Sequence, residues 1–331
     1  MKNVVIVGAT GAVGREVIKC LEDLNYPVEN LRLVASERSV GQKVKTPWGE
    51  IELEPISEQV FADSDVAIFS AGSGLSQEWL ERVKANSCLM IDNSSAFRYE
   101  EGVPLVVPEI NPEAARAHRG LIANPNCTTA IAAVALWPLY KAFGLKKVII
   151  STYQATSGAG AKGMQELIDQ TPVALAGGEV RPEAFAHQIA FNIIPHIDKF
   201  QDNKYTKEEM KVSWETKKIF DDENIAISCT CVRIPTLRAH SESIVIETEK
   251  PVTPEAARAV LEAADGVEVV DDPEAARYPM PLNASGKHDV EVGRIRQNLV
   301  FGDHGLEFFV SGDQLLKGAA LNAVQIAKLF I

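Results

Sequence analysis

The sequence predicts two successive α/β layers: a parallel, doubly wound sheet, then an α+β half with a mainly antiparallel sheet. Three observations carry this. Short, wholly apolar runs alternate with helical segments up to about residue 126, the mark of strands buried on both faces. Beyond that point the strands alternate apolar and polar residues, the mark of a sheet with one wet face. The chain then closes on a strongly periodic segment, DQLLKGAALNAVQIAKLF.

The first strand is NVVIVG (3–8), and a helix is expected from Gly11 to about residue 24. LRLVAS (31–36) is the second strand, and KVKTPWGEIELEPI reads as a hairpin turning at residues 47–49. VAIFSAG (66–72) and LMIDNSS (89–95) are further buried strands, separated by the helical SQEWLERVKA. TTAIAAVALWPLYKAFG is a long apolar helix. The alternating strands follow: KKVIISTYQAT, AISCTCVRI, ESIVIETEK, HDVEVGRIR and GLEFFVSGD, with the helix PVTPEAARAVLEAAD crossing them. Residues 172–206 are rich in Gly, Pro and Asn and are expected to form loops and short helices. The expected domains are 1–126, completed by a C-terminal helix at 313–331, and 127–312.

With 331 residues, 46% hydrophobic and 24% charged, the chain can bury two ordinary cores. A net charge of −12, without a basic stripe, argues against nucleic acid as a partner. The N-terminus lacks a signal-peptide pattern, and no run of about 18 apolar residues would span a membrane. A cytoplasmic location is expected. The five cysteines, Cys20, Cys88, Cys127, Cys229 and Cys231, are sparse and odd in number, which fits a reducing compartment. Cys229 and Cys231 share a strand face and could form half of a metal site. No second ligand cluster accompanies them, so buried small hydrophobes are preferred and no metal is expected.

The first strand runs into Gly8-Ala9-Thr10-Gly11-Ala12-Val13-Gly14, a G-x-x-G-x-x-G turn opening a helix. Glycines let the backbone turn tightly and approach a pyrophosphate, and the helix N-terminus supplies oriented N–H groups. Gly8, Thr10, Gly11, Ala12 and Val13 are therefore candidate dinucleotide contacts in a Rossmann-type domain, joined by Ser70 and Gly72 at the end of the 66–72 run. At the end of the second strand Ser36, Arg38 and Ser39 could hold a 2′-phosphate, favouring NADP. Glu37, turned inward, would favour NAD instead.

Cys127 follows Asn124-Pro125-Asn126 at the start of the apolar helix. A helix N-terminus stabilises a thiolate, the form that attacks carbonyl carbon. A buried structural cysteine is the competing reading.

GATGAVG, NSSAFR, NPNCTT, YQATSGAGAKGM, EEMK and VRIPTLRAHSE, in this order and spacing, resemble the bacterial aspartate-β-semialdehyde dehydrogenase family over essentially the whole chain. The resemblance implies NADPH-dependent reduction of L-aspartyl-4-phosphate to L-aspartate-4-semialdehyde through a cysteine thioester, in lysine, threonine and methionine biosynthesis. It makes Cys127 the nucleophile, His240 the acid–base group and Gln154 the residue orienting the intermediate. A histidine with an ordinary pKa near 6.5 suits proton exchange at neutral pH. Arg233 matches the carboxylate-binding arginine and Glu208 the group for the substrate amine. Arg98, Asn126 and Lys211 match phosphate contacts. Ser157, Gly158 and Asn322 match contacts near the nicotinamide. Arg238 has opposite parity to Arg233 and is expected to be a surface or interface cation. Without the resemblance, Glu208 and Lys211 read as an exposed i,i+3 helix pair. A homodimer or dimer of dimers, formed through the second sheet, is implied as well.

A phosphorylating glyceraldehyde-3-phosphate dehydrogenase would carry a G-F-G-R-I-G-R turn and a second cysteine four residues after the nucleophile. Here position 131 is Ile131. N-acetyl-glutamyl-phosphate reductase would lack SGAGAKGM and LRAHSE. A non-catalytic paralogue would be expected to lose Cys127 or His240, and both are present.

Overall fold

The computed structural model describes residues 2–331, which form two units. One comprises the residues up to Asn126 together with Ala319–Ile331; the other is Cys127–Gly318.

The first unit begins with β1 (Lys2–Val7), α1 (Ala12–Asp23) and β2 (Val28–Val34). The hairpin is β3 (Lys43–Thr46) with β4 (Gly49–Glu54), and a short α2 (Gln59–Ala62) follows. Then come β5 (Val66–Phe69), α3 (Ser73–Ala85), β6 (Leu89–Asp92) and β7 (Leu121–Ala123). The sheet order is β3-β4-β2-β1-β5-β6-β7, parallel throughout except the β3–β4 hairpin. β5 and β6 are buried at every position, as apolar runs covered on both faces must be. The core on one face stacks Phe61 on Phe69 with ring centres 6.0 Å apart, and Trp79 lies 5.8 Å from Phe61. Because β2 and β5 lie on opposite sides of β1, the β1–β5 junction is the topological switch point where such sheets bind ligands.

The second unit contains α4 (Cys127–Phe143), β8 (Lys147–Gln154), α5 (Gly160–Leu175), α6 (Lys207–Phe220), β9 (Ala226–Arg233) and β10 (His240–Glu247). It continues with α7 (Pro254–Glu262), β11 (Val267–Val269), the short α8 (Pro281–Ala284), β12 (Val290–Gln297) and β13 (Gly305–Gly312). Its sheet runs β11-β12-β13-β10-β8-β9. The three central pairings are antiparallel, whereas β8–β9 and β11–β12 are parallel. β8 alternates exposed and buried at all eight positions. Its buried side, Val148, Ile150, Thr152 and Gln154, is the face that carries the candidate chemistry. Residues 176–206 form no named helix or strand.

The last helix differs from the expected 313–331 segment. Leu316–Ala320 is a π-helical turn, and α9 (Leu321–Lys328) follows. α9 packs against α1 and β6 within the first unit. Among the described residues, no helix is long and apolar enough to cross a membrane.

Candidate active site

The site residues of the second unit are set by the buried face of its sheet. β8 and β9 run parallel in a register that pairs Gln154 with Arg233. β10 is antiparallel to β8 on the other side, and His240 is its first residue. α6 is fastened by a capping box: Thr206 accepts from the Glu209 N–H, and Glu209 accepts from the Thr206 N–H at 2.6 Å. Glu209 also accepts from the backbone N–H of Cys231 at 3.0 Å, which ties α6 to β9. Glu208 is thereby turned inward. It accepts from Gln154 Nε2 at 3.3 Å and from Lys211 Nζ at 2.9 Å. Thr152 donates to Gln154 Oε1 at 2.9 Å and so fixes which way the amide points.

Glu208 and Lys211 are indeed spaced i,i+3, but they are not the exposed pair that local pattern suggests: their side chains are 8% and 11% exposed. Lys211 also donates to Asp198 at 2.8 Å. Burial disfavours the charged lysine, but the two carboxylates outweigh it and its pKa is raised.

α4 begins at Cys127 itself, and Cys127 Sγ lies 3.5 Å from His240 Nε2. Ala155, the residue after β8, fixes two further groups. Its N–H donates to His240 Nδ1 at 3.0 Å, and its carbonyl accepts from Arg233 Nη1 at 2.6 Å. Arg233 is buried and stacks over the Phe185 ring. Burial is the main cause of its lowered pKa. His240 is fully buried, and burial together with the Arg233 charge pulls its pKa down to about 3. The expectation of a freely titrating imidazole near 6.5 does not survive that environment.

Arg238 is half-buried, its side chain 27% exposed. β9 ends at Arg233 and β10 starts at His240, so Arg238 lies on neither strand and the parity argument does not reach it. Its Nε donates to the fully buried Asp313 at 2.6 Å. The next residue, Gln314, was missed by sequence reasoning. It accepts from the Ala239 N–H at 2.7 Å and donates to Ser157 Oγ. Ala239 has φ +66°, a strained value for a residue with a Cβ, so Gln314 holds the chain where it enters His240. Gly318 was missed too: a Cβ there would sit 2.7 Å from Cys127 Cβ. Gly158 is also confined: a Cβ there would sit 2.7 Å from Arg233 Nη1.

In the first unit the glycine turn has the expected cradle shape. Gly8 has φ +87°, and a Cβ on it would meet the Ser70 carbonyl oxygen at 2.5 Å; one on Gly14 would meet the Gly8 oxygen at 2.3 Å. Ala12 begins α1, Thr10 and Val13 are half-buried, and Gly11 is exposed. Ser70 accepts from Asn93 Nδ2 at 2.7 Å, and Gly72 has φ +91° with open space around it. Ser36, Glu37 and Arg38 are exposed after β2, with Ser39 half-buried. Arg98 is buried and donates to the Asn124 and Asn93 carbonyls, both at 2.8 Å. Asn126 is also buried. Asn322 donates to Val106 O at 2.9 Å and to Asn124 Oδ1 at 2.6 Å. Its amide thus bridges the Val106 carbonyl and the Asn124 side chain.

Cys229 and Cys231 are buried with their sulfurs 3.7 Å apart. Among the described residues no three His, Cys, Asp or Glu side chains gather as metal ligands do. An open cavity of about 510 Å³ lies between α5 and the 179–184 loop. It contains none of the groups above, and the Glu166 carboxylate beside it already accepts from Glu183 and Ala184 N–H groups.

Two family models match the chain: the semialdehyde dehydrogenase NAD-binding domain over residues 3–118, and its dimerisation domain over residues 136–317. The aspartate-semialdehyde dehydrogenase of Aquifex aeolicus is 51% identical over 99% of this chain and 98% of its own length. That of Bacillus subtilis is 47% identical over 98% and 96%. The crystal structure of aspartate semialdehyde dehydrogenase II of Vibrio cholerae, complexed with ASA, superposes with a TM-score of 0.97 at 43% identity, covering 100% of this chain and 98% of that one. With both family models matched in order and full-length relatives at this identity, the chain belongs to the aspartate-semialdehyde dehydrogenase family.

Proposed function

We propose that the protein reduces L-aspartyl-4-phosphate reversibly to L-aspartate-4-semialdehyde with NADPH, through a thioester on Cys127, as a step toward lysine, threonine and methionine. The observation that carries the reading is Cys127 Sγ 3.5 Å from His240 Nε2, in the same unit as Gln154, Glu208, Lys211 and Arg233. Sulfur at a helix start is placed to attack an acyl carbon. Gln154, held by Thr152 and Glu208, is placed to orient the acyl group. Arg233 would take the substrate carboxylate and Glu208 its amine, so the site matches an amino acid at both ends. Lys211, with Arg98 and Asn126, is assigned to phosphate.

The glycine cradle fits a dinucleotide pyrophosphate, and the exposed Arg38 with Ser36 and Ser39 favours a 2′-phosphate. NADPH, when bound, supplies the hydride that converts the thioester to the aldehyde. Gly8, Thr10, Gly11, Ala12, Val13, Ser70 and Gly72 would hold it, with Ser157 and Gly158 toward the nicotinamide. Homodimers would form through the outer sheet face, where Ile149 and Tyr153 are 46% and 39% exposed.

The test is phosphate-dependent reduction of NADP by L-aspartate-4-semialdehyde. Turnover that needs both semialdehyde and phosphate supports the reading. No turnover with this aldehyde, but turnover with glyceraldehyde-3-phosphate, would overturn it.

A further inference from the structure

We propose that Phe185 is a positioning residue for the substrate carboxylate: its ring holds and dries the guanidinium of Arg233, and α5 keeps the ring in place by clamping the segment that carries it. The inference rests on the reading of Arg233 as the carboxylate-binding group.

β9 is an edge strand of its sheet, so one side of Arg233 has no neighbouring strand. The 183–194 segment, which forms no named helix or strand, covers that side. Ile194 exchanges both main-chain hydrogen bonds with Arg233, at 2.8 and 2.9 Å. Earlier in the same segment, Phe185 lies under the guanidinium, with Arg233 Cζ 5.7 Å from its ring centre. One strap of chain therefore grips Arg233 by its backbone and by its side chain.

α5 fastens the strap. Its buried residues Gly163, Glu166, Leu167 and Gln170 repeat at i, i+3, i+4 and i+7, which is one helix face. Glu166 and Gln170 are polar, and a face turned to an apolar core has no use for such groups. Their partners are strap N–H groups. Glu166 Oε2 accepts from Glu183 at 3.1 Å and from Ala184, and Gln170 Oε1 accepts from Ile189 at 2.9 Å and from Ala190 at 3.3 Å. Gln170 also donates to Glu166 Oε1 at 2.8 Å, joining the two clamps. Phe185 sits between the clamped pairs and packs on the cluster of Leu167, Ile189, Ala190 and Ile194. Gly163 makes the room: a Cβ there would lie 3.0 Å from Phe185 Cζ.

The ring acts on the guanidinium in two ways. Its negative face attracts the cation and fixes the plane whose edge must meet the carboxylate. It also excludes water without offering a hydrogen bond of its own, so the charge-assisted pairing is made in a less polar medium, where it is stronger. The Ala155 carbonyl holds Nη1 at 2.6 Å, so the fork is set by one polar and one aromatic contact.

The test is steady-state kinetics of the full-length enzyme with L-aspartate-4-semialdehyde, phosphate and NADP, on Phe185→Leu, Arg233→Leu and the double variant. Phe185→Leu should raise the KM for semialdehyde about fivefold to thirtyfold, the range of a desolvated cation–π contact, with kcat within about threefold and the KM for phosphate and NADP unchanged. In the Arg233→Leu background the same change should add less than about twofold, because the ring then has no cation to hold. Replacing Phe185 with 3,5-difluorophenylalanine keeps the ring but weakens its negative face, and should raise the same KM about twofold to threefold even if Phe185→Leu fails to fold. Gln170→Met removes the acceptor for the strap and should move that KM in the same direction. The proposal is overturned if Phe185→Leu leaves the semialdehyde KM unchanged, lowers kcat alone, or costs as much without Arg233 as with it. A wild-type KM in the fluorinated enzyme would remove the aromatic contact, and in Gln170→Met the clamp. A normal KM in Arg233→Leu would overturn the carboxylate reading and this proposal with it, whereas a raised KM there beside a normal one in Phe185→Leu overturns this proposal alone.

Discussion

Gly318→Ala tests whether the thiol is placed by close packing. The added Cβ would lie 2.7 Å from Cys127 Cβ, 3.0 Å from its Cα and 3.3 Å from Gln314 Cβ. Non-bonded carbons rest at about 3.5–4.0 Å, so the overlap is roughly 1 Å. None of these atoms can rotate aside, because a Cα and a Cβ move only with the backbone. The backbone at Cys127 is the first turn of α4, whose next two turns, including Ala130 through Leu136, are fully buried. Overpacking of this kind costs about 1–3 kcal/mol, or several degrees of melting temperature. Displacing Cys127 by about 1 Å should cost about 10²-fold in turnover. The assay pairs thermal unfolding with turnover well below the transition. Gly74→Ala is the control: in α3, with nothing within 4 Å of its added Cβ, it should be neutral or stabilising by up to about 1 kcal/mol. Gly318→Ala with wild-type turnover and melting would refute the packing argument.

Cys127→Ala should abolish turnover while titration still finds near-normal NADP affinity; surviving turnover would remove the covalent route. Arg233→Leu should raise the KM for semialdehyde by at least tenfold, since a charge-assisted bidentate contact of roughly 1.5–3 kcal/mol is lost; a defect confined to NADP affinity would count against that role. His240 has its pKa lowered from 6.5 to about 3, so on acidification the unfolded chain takes up the proton first. Its stabilising contribution is complete above about pH 6.5 and is lost toward pH 3, on the order of a few kcal/mol; His240→Gln should flatten urea-unfolding stability in that window. Glu242 is fully buried with neither carboxylate oxygen hydrogen-bonded, and burial raises its pKa well above 4.5. The sign is opposite: its contribution is present below pH 4.5 and lost as pH rises, so Glu242→Gln should gain on wild type in melting temperature between pH 5 and pH 8. A constant difference across that range would mean Glu242 is not the titrating group.

Much of the fold was legible because binary patterning carries burial: the all-buried β5 and the alternating β8 are written in their residues. Strand direction is not. Alternation looks the same in parallel and antiparallel pairs, so the parallel β8–β9 and β11–β12 pairings went unread. β11, three half-buried residues, has too short a pattern to stand out. In the site, residue types at family spacing marked Cys127, Gln154, Glu208, Lys211, Arg233 and His240 as candidates, and all six lie in one unit. What the residues could not carry were contacts set by the main chain. His240 Nδ1 accepts from an amide 85 residues away, and strand parity could not place Arg238, which lies between β9 and β10. An Asn on a helix likewise says nothing of which oxygens its amide will meet, and Asn322 donates to Val106 O and Asn124 Oδ1.

Ala155 shows why such contacts matter more than the identity of the residue making them. Its side chain is a methyl group, yet its N–H donates to His240 Nδ1 and its carbonyl accepts from Arg233 Nη1. The parallel β8–β9 register delivers Gln154 opposite Arg233, and the turn after Gln154 then presents the N–H of Ala155 to β10 and its carbonyl to β9. A substitution at Ala155 that preserved φ and ψ would leave both contacts intact, whereas one that shifted both angles would turn the two peptides flanking Ala155 and disturb both contacts. The orientations of Arg233 and His240 are therefore coupled through the φ and ψ of one residue, where two peptide planes meet. Damage there should lower substrate affinity and the chemical step in parallel, unlike Arg233→Leu or His240→Ala, each of which removes one of the two.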